Sequence, residues 1–150
     1  MKSQRGQSLF EVVMALGVIA VITVGVVSLS VNAIRNAAFS KNKTLAGRYA
    51  QEATEWLRSQ RDTDFKAFYD HATVFTTYCL PALGWSITRS CNSSDSEKIT
   101  GTPLFRLISF STTTISGKVV IQADIKVYWT DAQGYHEVRS ATSFTDWRQR

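Results

Sequence analysis

The chain has 150 residues, 44% of them hydrophobic, with four Trp, five Tyr and eight Phe, enough for one domain with its own core. Its 17 Lys and Arg exceed 12 Asp and Glu by a formal +5, but the basic residues are scattered and no RNA-binding aromatic motif accompanies them, which argues against a nucleic-acid partner. No G-x-S-x-G elbow, P-loop, H-E-x-x-H or C-x-x-C pair occurs, and His71 and His136 lack ligand spacing, so the expectation is no catalytic, cofactor or metal site.

The first element is "RGQSLFEVVMALGVIAVITVGVV", residues 5–27. From Val12 to Ile34 there is no charged residue, and these 23 positions span roughly 35 Å as a helix, against a bilayer hydrocarbon core of about 30 Å. A soluble core helix of this length carries a polar stripe, and none interrupts this run. The expected element is therefore a membrane-spanning helix. Glu11 stands at its start, where a carboxylate in hydrocarbon costs about 2.5–3.5 kcal/mol and needs a partner. A cleavable secretory signal accounts for Lys2 and Arg5 and offers Val31-Asn32-Ala33 as a cleavage box, but its apolar core is only about 7–15 residues long and leaves no place for Glu11. A plain signal anchor accommodates the length and gives no reason for Glu11.

This stretch resembles the class III signal of type IV pilins and of the related pseudopilins of type II secretion: a short basic leader ending in Gly, a Glu fifth in the processed chain, then a long apolar helix. The resemblance covers residues 1 to about 60. It implies a leader of residues 1–6, cleavage by a prepilin peptidase between Gly6 and Gln7, N-methylation of Gln7, and a role for Glu11 in assembly. The implied partners are the peptidase, other pilin subunits in a filament, the inner-membrane assembly machinery, and membrane lipid before assembly. The implied location is a single-pass cytoplasmic membrane precursor with its head extracytoplasmic, then an extracellular or periplasmic filament. Many members begin the processed chain with Phe or Met rather than Gln, and major pilins often bend the apolar helix with a Pro, whereas the prolines here are Pro81 and Pro103. Both departures lean toward a minor subunit. Cleavage also supplies Glu11 with a partner, since the new amine at Gln7 is a cation near the same membrane depth, and the resemblance implies that this amine meets the Glu of a neighbouring subunit. The plainer reading is a Glu that snorkels to water. Loss of Lys2 and Arg5 leaves 15 basic against 12 acidic residues, a formal +3.

Charge alone does not orient the helix, because Arg35, Lys41, Lys43 and Arg48 follow the apolar run as Lys2 and Arg5 precede it. Cys79 and Cys91 are an even pair in a loop-rich region, suited to one disulfide, with two free thiols as the alternative. A bridge places the head in an oxidising compartment and closes a loop worth roughly 3 kcal/mol.

The helix is expected to continue through "NAAFSKNKTLAGRYAQEATEWLRSQRD", with Leu45, Tyr49, Trp56 and Leu57 as its apolar stripe, and to end near residues 60–64, where Asp62 and Asp64 mark the exit. Residues 65–103 are dense in aromatics (Phe65, Phe68, Tyr69, Phe75, Tyr78, Trp85) without a sustained period. They yield only a short strand near Val74–Tyr78 and a surface loop at "SCNSSDSEK". A strand over Leu104–Thr113 follows. In "KVVIQADIKVYWTD" the residues Val119, Ile121, Ala123, Ile125, Val127 and Trp129 share one face, with Gln122, Asp124, Lys126 and Thr130 on the other. Asp131-Ala132-Gln133-Gly134 reads as a turn and "YHEVRSATSF" as the returning strand, on which His136, beside Glu137, is a structural residue.

The sheet and the second half of the helix each lack a covering layer, and each supplies the other's. The expectation is an α+β chain: leader 1–6, a long N-terminal α-helix over 7–64 whose membrane-spanning first half is apolar over about 12–34, and a head over 65–150 with a C-terminal antiparallel β-sheet. The expected function is a structural, non-enzymatic subunit of a type IV pilus-like filament, a minor pilin. The alternatives are a type II secretion pseudopilin and a single-pass membrane-anchored extracytoplasmic binding module.

Overall fold

The computed structural model describes residues 9–92, 94–115 and 117–146. It is α+β: a long helix α1 (Leu9–Thr63), a short helix α2 (Phe65–Val74), and four strands, β1 (Thr77–Cys79), β2 (Phe105–Ile115), β3 (Lys118–Asp131) and β4 (Gly134–Thr145). The strands form one antiparallel meander in chain order. The chain divides into two compact units with the boundary between Lys41 and Asn42, so the second half of α1 belongs with the sheet.

In the first unit α1 is rich in β-branched residues, which lose rotamer freedom in a helix. Helical structure nevertheless satisfies every backbone donor and acceptor within the segment, which hydrocarbon demands. Two of its hydroxyls follow the same rule: Thr23 donates to the Ile19 carbonyl at 2.8 Å and Ser30 to that of Val26 at 2.9 Å.

In the second unit α1 buries Ala46, Ala50, Ala53, Thr54 and Leu57. The expected stripe is thus displaced: of Leu45, Tyr49, Trp56 and Leu57 only Leu57 is buried, and the others are half-buried at its margins. Small side chains occupy the centre of the contact, where helix and sheet approach, and larger ones close its sides. The Thr54 hydroxyl bonds back to the Ala50 carbonyl at 3.0 Å and lies 3.5 Å from the Ser140 hydroxyl on β4.

The helix ends where the acidic residues mark it. Asp64 takes an extended conformation, and its carboxylate accepts from the Ala67 N–H at 3.1 Å, so the residue that stops α1 also caps α2. Helix α2 corrects the sequence expectation, because Val74 closes a helix instead of opening a strand, and pairing begins at Thr77. The short apolar spacing of Phe68 and Ala72 was hidden among the surrounding aromatics. Of those aromatics Phe68 and Tyr78 are buried in the core, Phe65, Tyr69 and Trp85 are half-buried, and Phe75 is exposed. Phe68 meets Phe144 at 5.2 Å and Phe110 at 6.0 Å, while Trp85 stacks on His71 at 4.5 Å and contacts Trp56 at 4.6 Å and Tyr78 at 4.9 Å. Each such ring buries the equivalent of about 1.5–3 kcal/mol of apolar surface.

The alternation in β3 holds: Ile121, Ala123, Ile125, Val127 and Trp129 are buried, and Val119 is half-buried. Strand β2 begins one residue later and ends two later than Leu104–Thr113, and its far half, Ser111–Ile115, is exposed. Gly134, at φ 120°, occupies backbone space that disfavours other residues and lets β4 return directly against Asp131.

Candidate membrane and assembly helix

Helix α1 is the one helix among the described residues long and apolar enough to cross a membrane, judged by length and composition. Every Val, Ile, Leu and Met from Val12 to Ile34 is exposed, and its apolar window buries nothing within the chain. An uncovered apolar surface of this extent requires lipid or neighbouring protein. Glu11 lies exposed at the start of this surface and forms no ion pair among the described residues. Gly6 and Gln7, the expected cleavage and N-methylation positions, lie outside the described residues.

The cysteine pair is joined. Cys79 at the end of β1 and Cys91 form a disulfide with Cα atoms 5.0 Å apart. The loop it closes carries Trp85, whose indole N–H donates to Gln60 on α1 at 3.3 Å. Beside the bridge Glu97, almost fully buried, accepts from Arg89 at 2.5 Å and from the Asn92 N–H. The Arg89 hydrogen bond and then the Asn92 N–H hold its carboxyl below the usual range. Among the described residues of "SCNSSDSEK", Ser90, Asn92, Ser94, Asp95 and Ser96 are exposed, Cys91 and Lys98 are half-buried, and Glu97 is the internal anchor.

A second anchor was not legible in sequence. Arg106 on β2 points into the head, 2% exposed, donating to the Leu80 carbonyl at 3.2 Å, to the Tyr49 carbonyl at 3.3 Å and to Glu52 Oε2 at 2.9 Å. Burial pushes its pKa down, opposed by the Glu52 carboxylate. One side chain thus ties the sheet, the disulfide loop and the second half of α1 together. Its mark in sequence is a basic residue on the apolar face of a strand, two positions from Ile108. His136 lies 3.0 Å from Asp131 Oδ1 and clasps the β3–β4 turn, and both cysteines are consumed by their bridge.

Comparison with protein-family models, with curated proteins and with solved structures gives no match.

Proposed function

We propose that this chain is a structural subunit of a type IV pilus-like filament, a minor pilin, inserted as a precursor and assembled through its N-terminal helix. The observation that carries this reading is the apolar surface of α1, wholly uncovered and headed by a single carboxylate, Glu11, five positions after Gly6. A helix that serves only as an anchor needs the apolar surface but not the carboxylate; assembly uses both. In this reading the amine freed at Gln7 neutralises Glu11 of a neighbour, and the filament stabilises subunits in correct axial register. The disulfide supports a head outside the cytoplasm. The role is structural rather than catalytic.

The test is incorporation into sheared filaments. Glu11→Ala is expected to preserve membrane level and leader cleavage while incorporation falls, and Glu11→Asp to be intermediate because the charge survives on a shorter reach. N-terminal sequencing of the membrane-extracted chain is expected to begin at Gln7. Unimpaired incorporation of Glu11→Ala removes the pairing. A chain processed at Gly6 that enters a secretion pseudopilus supports the pseudopilin reading, and an uncleaved, unassembled chain supports the anchored binding module.

A further inference from the structure

On the solvent-facing side of the sheet, away from α1, three aromatic residues stand in contact on adjacent strands. Phe105 on β2 stacks on Tyr128 on β3 at 5.3 Å with 19° between the rings, and Tyr128 meets Tyr135 on β4 at 5.8 Å. Pairing sets this arrangement, since Phe105 is directly opposite Tyr128, and Tyr135, opposite Thr130, is its diagonal neighbour. Lys98 Nζ lies 5.7 Å from the Phe105 ring centre and Lys126 Nζ 5.5 Å from that of Tyr128. Phe105, Tyr128, Tyr135 and Lys98, with Pro103 and Thr130, line an open cavity of about 310 Å³. Phe105 is buried and Tyr128 half-buried, but Tyr135 is 54% exposed.

Tyr135 is also held in place. Its hydroxyl donates to Glu137 Oε2 at 2.8 Å, and Glu137 in turn accepts from Arg139 at 2.7 Å. Burial and then the Glu137 bond push the phenol up to about 12, so it remains a donor at any physiological pH. An exposed ring anchored by its hydroxyl presents its face with little entropy left to lose.

The charges around the cavity select the occupant. Lys98 pairs with Asp95 at 2.6 Å and Arg139 with Glu137 at 2.7 Å, Glu97 is held by Arg89, and Lys126 stands over the Tyr128 ring. With three of these four cations each paired to a carboxylate, the rim offers little of the run of unpaired positive charge that a polyanion such as nucleic acid needs. The cavity offers the Lys98 ammonium and the Thr130 hydroxyl beside an aromatic floor, the complement of a neutral ring with an apolar face and a hydroxyl edge.

We infer that this cavity binds a neutral saccharide, with a pyranose ring stacked on Tyr135 and its hydroxyls bonded to Lys98 and Thr130. The site belongs to the head and does not depend on filament assembly.

The test uses the full chain in lipid nanodiscs, free of sugar-headed detergent, titrated calorimetrically with cellohexaose, chitohexaose, maltohexaose and mannohexaose. Saturable binding of at least one is expected. Tyr135→Ala should weaken it about tenfold or more, whereas Tyr135→Phe, which keeps the ring, should weaken it less than about threefold. Thermal melting controls for folding, and neither change at this exposed position should move it. Failure of all four saccharides to bind, or equal binding by Tyr135→Ala, overturns the inference. So does binding of oligothymidylate that is lost in Tyr135→Ala, which assigns the surface to nucleic acid.

Discussion

Residues 12–34 and 46–57 belong to one continuous helix, yet the first stretch exposes every large apolar side chain while the second buries three alanines, a threonine and a leucine. The richer hydrophobic surface is the one the chain leaves uncovered. Side-chain size follows the surroundings: a helix packed on a sheet gains by close approach, which alanine permits, whereas a helix surface meeting lipid has no such local constraint. Hydrophobicity therefore locates the first stretch and understates the second. The two should also respond oppositely to the same kind of substitution.

The largest expected effect tests that contrast. Trp129, 1% exposed, fills the interior of the sheet's inner face, and Trp129→Ala should destabilise the head by about 3–5 kcal/mol in denaturant unfolding. Leu29 is 72% exposed, and Leu29→Ala should leave the head's unfolding midpoint unchanged. A comparable loss at both positions would dissolve the distinction.

Next comes the bridge. Replacing Cys79 and Cys91 by Ser together should cost about 3 kcal/mol through the freed loop and should shift Trp85 fluorescence, because that loop carries the ring into the aromatic cluster. The unreduced native chain should resist alkylation at both positions and gain two hydrogens on reduction. Free thiols in protein from its own host would contradict the oxidised bridge and remove its support for a head outside the cytoplasm.

How much of this was legible in the sequence depends on the length of the signal. The apolar run from Val12, the alternation from Ile121 to Trp129 and the Asp131–Gly134 turn are local patterns several residues long, and they emerge in the fold as read. Helix α2 was missed because its ten residues show little more than two turns of periodicity amid aromatics. The alanine stripe was missed because Leu45, Tyr49 and Trp56 outweigh Ala46, Ala50 and Ala53 on any hydrophobic scale, although the alanines make the closest approach. Arg106 and Glu97 find partners up to 57 residues away and five to eight residues away respectively, through geometry that only the closed fold supplies. The outward-facing Tyr128 follows from the same alternation that sets Trp129 inward, so that part of the proposed saccharide surface was present in the pattern.

Arg106 offers a smaller effect that sharpens the comparison, since it is the charged residue on which the head's closure depends. Arg106→Ala removes the donor to Leu80, Tyr49 and Glu52 and should cost about 2 kcal/mol, chiefly through buried carbonyls left short of a partner. Glu52 is half-exposed and can turn to water, so Glu52→Gln should cost much less. Equal losses from the two changes would place the weight on the ion pair instead of the carbonyls.

The smallest effect expected is a pH dependence confined to the head. The carboxyl of Glu97 titrates below its ordinary range in the folded chain, so the folded state binds its proton less readily than the unfolded state does. Its contribution to stability is fully present above the unfolded value, about 4.3, and is lost as pH falls through the lower folded value. Asp95 beside Lys98, and Glu137 beside Arg139 and Tyr135, are lowered as well, so the acid slope of the native chain has several sources. Glu97→Gln isolates one of them: at neutral pH the variant should be less stable, and its unfolding midpoint should fall less steeply with acid than that of the native chain. The gap between the two should narrow as pH drops below about 4. A constant gap across that range would mean that Glu97 acts by shape and hydrogen bonding alone, without its charge, and would remove the Arg89 pairing as the reason the loop is anchored there.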